Sequence, residues 1–374
     1  MSLVVDGLIE FIPIARPCFF GREAEYVAEA LRAEQISGGG AFVDRMEALV
    51  AKATATQHAV VVSSGTSALD LAFAALGVQA GDEVIVPDFT MFAPVAALLR
   101  RGAIIVPVDA DDSWNMDPDA VEAAISERTK GIVIVHTYGH PADAARITEF
   151  ARQRGIWVVE DAAEALGATL DGRSVGSFGD IAILSFYANK VVTSGEGGAV
   201  VTNDGGRAQR LRALRGLCFG ASWAERYVHQ CAGFAARLSN VLAAIGCAQL
   251  ECLSAALASK QEVAARYRGC LADLPGVVLP PASSRVDHSY WVFGVLLPSD
   301  RTPSVVADRL RAARIDTRPF FHPVHNQPCV APVRGAFPRS ERLAAHGLCL
   351  PSFVGMSPGD TDRVVSALTT ALAM

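Results

Sequence analysis

The chain has no basic tract and no basic stretch interleaved with aromatics. Its net charge is −6 over 374 residues, so nucleic acid is not an expected partner. No uninterrupted apolar run reaches the roughly 18 residues that a membrane-spanning helix needs, and no membrane partner is expected. The opening stretch, MSLVVDGLIEFIPIARP, lacks the basic start and long apolar segment of a secretory leader. The eight cysteines (18, 218, 231, 247, 252, 270, 329 and 349) contain no CxxC spacing. Neither a metal site nor a disulfide framework is indicated, and reduced thiols in a cytoplasmic protein are the expectation. Internal repeats and low-complexity linkers are also missing. Charged residues are sparse at 19%, which hints at surface buried in an oligomer.

Apolar residues, by contrast, make up 51% of the chain, ample for buried sheets and helices. The length favours two domains. From residue 59 to 202, short Val/Ile-rich runs recur: AVVV, EVIVP, AIIVPVD, GIVIVH, IWVVED, IAILSF and GAVVT. Helical patterns such as SALDLAFAAL and ADAARITEFARQRG separate most of the early ones. That alternation predicts a mostly parallel sheet covered on both faces. Beyond residue 236 a long helical tract exceeds the usual globular helix, which suggests a bent crossing between domains. The segments that follow it, DHSYWVFGVLL and APVRGAFPRSERLAAHGLCLPS, read as a smaller α+β unit, with Tyr290 and Trp291 packing its core. The expected division is 1–250 for the large domain and 251–374 for the small one.

Three features of the sheet region carry chemistry. In VVVSSGTSALDL, Ser64, Gly65 and Thr66 lie between a strand and a helix, where free N–H groups and hydroxyls can cradle a phosphate. The same serines can also simply cap the helix. In WVVEDAAEALGA, Glu160 and Asp161 end an apolar strand, at the edge of an open sheet where ligands gather. A carboxylate there can hold a pyridine nitrogen protonated and make the ring an electron sink, or can act as an N-cap. In SFYANKVVTSGEGGAVVTND, Lys190 sits between an apolar strand and a turn at Ser194–Gly198 that favours glycine. An interior-facing lysine loses solvation, its pKa falls, and its amine becomes available for Schiff-base chemistry. A solvated loop lysine is the alternative for Lys190 alone. Together, a cradle, a strand-end acid and a lysine in this order match what pyridoxal 5′-phosphate requires at its phosphate, ring nitrogen and aldehyde carbon.

On SSGTSAL, GDEVIVPDFT, HTYGHPAD, EDAAEALGA, GSFGDIAILSFYANK, TSGEGGAVVTND, LSNVLAAIGCAQLE and DTRPFFHPVHNQP, the chain resembles the DegT/StrS-type nucleotide-sugar aminotransferases. DSWNMD, FYANK and RPFFHPVH are most similar to GDP-perosamine-synthase-like members. The resemblance covers nearly the whole chain and implies the fold type I architecture of pyridoxal-phosphate-dependent transferases. A mostly parallel seven-stranded sheet would lie between helices, with a smaller α+β C-terminal domain. It implies Lys190 as the Schiff-base lysine, Asp161 as the partner of the ring nitrogen, Ala163 against a ring face, and Glu164 near the 3-hydroxyl. Ser64, Gly65, Thr66 and Ser185 would hold the phosphate.

The resemblance further implies a homodimer with shared active sites. The segment GFAAR would bring Arg237 to the neighbouring subunit's phosphate. Ala235 stands where relatives carry an asparagine, a lost hydrogen bond to a charged group worth roughly 1.5–3 kcal/mol. Met91 stands where many relatives place an aromatic ring, and a thioether can pack on a ring face. Arg318, His322 and His325 read equally well as substrate contacts and as structural residues. The implied reaction is ping-pong transamination from an amino donor, glutamate, to a keto-deoxy sugar on a nucleotide, with pyridoxamine 5′-phosphate formed during turnover. A cyclitol or other ketone is an alternative acceptor, and a non-catalytic homologue that binds cofactor or sugar is the other alternative. Relatives acting as sugar dehydratases replace the lysine with histidine, which argues against that chemistry here.

Overall fold

The computed structural model describes residues 10–220 and 222–373, so the stretch 1–9 of the opening segment, where no leader is expected, lies outside the described residues. Two helices, α1 (Glu23–Arg32) and α2 (Ala41–Thr54), precede the sheet. The alternation then runs β1 (His58–Val62), α3 (Gly65–Leu76), β2 (Glu83–Pro87), α4 (Ala93–Arg100), β3 (Ile104–Val108), α5 (Pro118–Ala124), β4 (Thr129–Val135), α6 (Ala144–Gln153) and β5 (Trp157–Asp161). A short antiparallel pair, β6 (Thr169–Leu170) and β7 (Arg173–Ser174), leads to β8 (Ile181–Ser185), β9 (Gly198–Thr202) and α7 (Gly205–Arg215). Helix starts follow the sequence: Ser64, Asp117, Asp143 and Asp204 each accept a backbone N–H from the first turn of α3, α5, α6 and α7.

The large sheet has seven strands in the order β1-β9-β8-β5-β4-β2-β3. Strand β9 runs antiparallel to both neighbours and the other pairs are parallel, so the sheet is mostly parallel as expected. The side-chain period of two divides each strand between two cores. Val60, Val62, Val133, Val135, Val159 and Ile183 pack under α3, α4 and α7. On the opposite face, Val61, Leu184 and Val201 meet α2 and the later helix Asn240–Glu251, while Ile85, Ile132 and Ile134 meet α5 and α6.

The long helical tract is two helices, α8 (Asn240–Glu251) and α9 (Leu253–Leu271), bent by 62°. Among the described residues no single helix is long and apolar enough to cross a membrane. Helix α8 buries Ala243, Ala244 and Cys247 in the core of the large sheet. Helix α9 instead packs Val263, Ala264 and Tyr267 into a separate core. That core also receives α10 (Pro303–Ala312), α12 (Pro358–Ala373) and a small antiparallel sheet. After β10 (Val286–Asp287), which pairs with β6, the small sheet is ordered β11 (Phe293–Leu296), β13 (Gly347–Leu350), β12 (Arg318–Pro319), with α11 (Pro338–His346) leading into β13. Ile12, on the large side of the expected division, pairs with Ile315 and is buried in this second core.

One cysteine expectation is overturned. Cys218 and Cys231 are joined in a disulfide, with Cα atoms 5.7 Å apart. They lie 13 residues apart in sequence, a spacing that no metal or redox motif marks. An antiparallel bridge between Phe219 and His229 sets the two strands of this loop side by side, and only that fold brings the thiols together.

Lys260, on α9, is 3% exposed and donates to the carbonyl of Trp291 (3.1 Å) and to Ser352 Oγ (3.2 Å). Burial alone drags its pKa from 10.5 down to about 7. Between those values the folded chain holds fewer protons on this amine than the unfolded chain does. Its contribution therefore makes stability rise with pH across that window. Urea unfolding near pH 7 and near pH 9 is expected to show a larger stability gain in the wild type than in Lys260→Met, by about 1–3 kcal/mol. Equal gains in the two proteins would mean that Lys260 is not buried uncharged.

Candidate active site

The carboxyl ends of β1, β5 and β8 converge on one cavity of about 320 Å³. Ser64, Gly65, Thr66, Met91, Asp161, Ala163, Glu164, Ser185 and Lys190 all line it, so nine of the sequence-expected residues are brought together. Helix α3 points its first N–H groups here, and those of Gly65 and Thr66 precede any intrahelical acceptor. Ser64 serves as the helix cap, with its Oγ 3.0 Å from the Ser67 N–H, and still borders the cavity. The cap reading of this serine is therefore realised, and its place at the cavity leaves it within reach of a ligand there.

The cradle is made by close backbone crossings. A Cβ on Gly198 would lie 2.5 Å from the carbonyl carbon of Ser64 and 2.7 Å from the Gly65 nitrogen. Only glycine lets β9 pass this near the loop that opens α3. In the turn ahead of β9, Gly195 and Gly197 have φ of 86° and 147°, as the sequence predicted for this stretch.

Adjacent residues Glu160 and Asp161 do different work because a strand sends them to opposite faces. Glu160 is fully buried, accepts the N–H groups of Gly176, Phe178 and Gly179, and pairs with His136 Nε2 at 3.1 Å. His136 Nδ1 accepts the Ala142 N–H, so Nε2 is the nitrogen that donates to Glu160. Asp161 is 4% exposed, takes one N–H bond from Ala163 on Oδ1 (3.0 Å), and borders the cavity. Burial raises its pKa, while the Ala163 N–H and the charge of Lys190 oppose the rise. A cationic ring nitrogen beside it would compensate the cost of keeping it ionised.

Lys190 follows β8 in a turn closed by its own N–H on the Tyr187 carbonyl at 2.9 Å. It is half-buried, and its amine lies 3.7 Å from the centre of the Trp291 ring. Loss of solvation lowers its pKa, and Glu164 and Asp161 push it back up. Glu164, buried and held by the Tyr138 N–H at 2.7 Å, has its pKa raised by burial against the pull of Lys190. An amine and two acids thus share one poorly solvated pocket, the condition under which protons move readily between groups.

A second cavity, of about 730 Å³, shares Tyr187, Asn189, Lys190 and Trp291 with the first. Arg16, Lys260, Arg318 and His322 line it, and none of its described lining residues is a carboxylate. His325 is elsewhere: Asp88 accepts its N–H (2.9 Å) and pairs with its Nδ1 (2.8 Å), and its ring stacks on Phe337. Of its two sequence readings, the structure realises the structural one. Arg237 is exposed, bridges to Val62 through its backbone, and lines neither cavity of its own chain. Tyr290 packs against the second core as expected, whereas Trp291 does not belong there: its ring is a wall of both cavities. Tyr138, with φ of 56° and its ring against Phe321, is another wall residue that sequence reasoning left unassigned.

The residues fit pyridoxal phosphate. They offer an N-terminal helix cradle for a dianion, a carboxylate for a ring nitrogen, a small Ala163 side chain where a flat ring must pass, and a desolvated amine.

Residues 18–369 match the DegT/DnrJ/EryC1/StrS aminotransferase family. The GDP-perosamine synthase of Escherichia coli O157:H7 is 39% identical over 350 residues, covering 93% of this chain and 95% of its own. Among solved structures, the aminotransferase TlmJ from Streptoalloteichus hindustanus superposes with a TM-score of 0.92 at 30% identity, over 97% of this chain and 99% of its own. DesI, solved in the presence of its TDP-sugar product, superposes at 0.90 with 32% identity, over 98% and 94%.

The backbone crossing at Gly198 generates a test. Gly198→Ala must displace the Ser64–Gly65 peptide, at a strain of about 1–3 kcal/mol, and is expected to weaken pyridoxal phosphate binding about tenfold to a hundredfold. Gly269, on α9 with no atom within 4 Å of a built Cβ, is the control, and Gly269→Ala should leave affinity unchanged. Absorbance titration of both variants reads the difference. Equal affinity in Gly198→Ala and wild type would show that the crossing does not shape the cradle.

Proposed function

The chain belongs to the DegT/DnrJ/EryC1/StrS aminotransferase family, and from that premise we propose a substrate, a division of labour and an assembly. It is a pyridoxal-phosphate-dependent aminotransferase acting on a nucleotide-linked keto sugar to make an amino sugar. The proposed amino donor is glutamate and the proposed acceptor a keto-deoxy sugar. The observation that carries the reading is the shared wall. Lys190 faces both the cofactor-sized cavity and the larger cationic one. Arg16 and Arg318 give the larger cavity a positive charge suited to a diphosphate, and Phe320 and Phe353 offer apolar surface to a deoxy sugar.

Bound in the smaller cavity, pyridoxal phosphate supplies an electron sink for negative charge developing at the donor carbon. The α3 N–H groups, Thr66 and Ser185 hold the phosphate. Asp161 keeps a proton on the ring nitrogen. The amine of Lys190 would take the proton from the donor's Cα and deliver it to the cofactor carbon that keeps the donor's nitrogen, so that water can release the keto acid. The keto acid leaves before the sugar enters, and the same amine then moves a proton in the opposite sense. Met91 and Trp291 border the cavity and limit water at the amine.

We also read the chain as two units, 1–250 and 251–374, meeting at the bend beside Cys252. Their facing sides form the larger cavity. The assembly is proposed as a homodimer. Arg237 is turned to solvent in its own chain, and the family resemblance assigns its segment to the neighbouring subunit's phosphate.

Purified protein assayed with glutamate against a panel of nucleotide-linked keto sugars is expected to aminate at least one of them. Turnover confined to free cyclitol ketones would overturn the acceptor class. Asp161→Ala should slow the glutamate half-reaction at least about a hundredfold while cofactor remains bound, because an unprotonated pyridine is a poor sink. Stopped-flow absorbance measures this, and near-normal rates would remove Asp161 from the mechanism. Co-expressed Lys190→Ala and Arg237→Ala chains, each inactive alone, should regain activity as mixed dimers, since one site carries both lesions and the other neither. Inactive heterodimers of confirmed composition would mean that Arg237 serves its own chain.

A further inference from the structure

Trp291 touches the catalytic segment twice. Its Nε1 donates to the carbonyl of Asn189 at 2.9 Å, fixing the peptide that leads into Lys190. Its ring face lies 3.7 Å from the Lys190 amine. The main chain is fastened at its carbonyl and again two residues further on. Lys260 Nζ donates to the Trp291 carbonyl at 3.1 Å, and the N–H of Phe293 donates to Ser352 Oγ at 3.1 Å, the same hydroxyl that Lys260 reaches. An indole held this rigidly is expensive to leave unused: it comes from the C-terminal unit, crosses to the turn after β8, and spends its only N–H there.

We propose that Trp291 is the positioning residue for the catalytic amine, its indole N–H fixing the main chain at Asn189 and its ring face holding Lys190 in reach and favouring the ammonium form that arises each time the amine accepts a proton. The proposal rests on the reading of Lys190 as the proton-transferring amine. A cation above an aromatic face is stabilised by the ring quadrupole, and more so where water is excluded. The ring therefore offsets part of the desolvation that disfavours the charged amine. It also couples the two units: the α9 amine that grips Trp291 is the one that determines where the ring stands.

The other charged groups around the amine come from several elements. Asp161 ends β5 and Glu164 follows it, Glu196 lies in the glycine turn, Arg16 precedes α1, Lys260 is on α9, and Arg318 and His322 belong to the C-terminal unit. A series that grades the ring's quadrupole while keeping the indole and its N–H leaves all of them in place. Mono-, di- and trifluorotryptophan incorporated at position 291 alone provide that series. In cofactor-free protein, competitive acetylation of Lys190, quantified by mass spectrometry over a pH series, reads the amine's apparent pKa. It should fall stepwise as fluorines are added, by roughly 0.5 to 1 pH unit in total. In the holoenzyme, Trp291→Leu should slow the glutamate half-reaction about tenfold with little change in glutamate KM, and Trp291→Phe, which keeps a ring but not the N–H bond to Asn189, should recover part of that loss. A flat fluorine series, or Trp291→Phe as slow as Trp291→Leu, overturns the proposal. Lys190→Ala separates the two readings. If it is inactive while the fluorine series is flat, only the role of Trp291 fails; if it keeps turning over, the reading of Lys190 fails first.

Discussion

A half-buried amine that shares one cavity with two buried carboxylates is the constraint on which the rest of this structure depends. Burial pushes Lys190 toward its neutral form and Asp161 and Glu164 toward theirs, while their mutual attraction pulls all three back to charge. None of these groups would be tolerated singly in such a place, since an isolated buried charge is costly. Together they bring an amine and two acids to one cavity where burial and mutual attraction oppose each other, a grouping suited to proton transfer to and from a substrate carbon.

The sheet exists, in this sense, to hold that balance at one edge. Strands β5 and β8 end side by side, so the acid at the end of one and the amine beyond the other approach from adjacent registers. Helix α3 starts from the end of β1 across β9, and its free N–H groups face the same space. Glycine at position 198 permits the crossing that makes the cradle tight. The second unit then closes the site from the far side, through a tryptophan and a buried lysine that together tie α9 to the turn carrying Lys190.

Features with a local period or a local motif were legible in the sequence. The Val/Ile alternation marked all seven strands of the large sheet, and the glycine turn before β9 was marked by its own residues. The order of cradle, acid and amine pointed to one cavity, and Ser64, Gly65, Thr66, Asp161 and Lys190 do line one, together with Met91, Ala163, Glu164 and Ser185, which the family resemblance added. Features set by contacts between distant parts of the chain were not legible. Trp291 bonds to a residue 102 positions away, and His325 to an aspartate 237 positions away; nothing in SYWVFG or RPFFHPVH says which way either ring turns. The disulfide depends on a loop that folds back on itself, and Ile12 on a strand partner near the other end of the chain. Two adjacent acids, Glu160 and Asp161, were separable only by strand parity, which gives one to the core and the other to the site.

Borohydride reduction of the holoenzyme, followed by peptide mapping, measures the central claim most directly. The account predicts that the visible absorption band is bleached and that the reduced cofactor is found on Lys190. Recovery of the cofactor on any other lysine, Lys260 included, would contradict it.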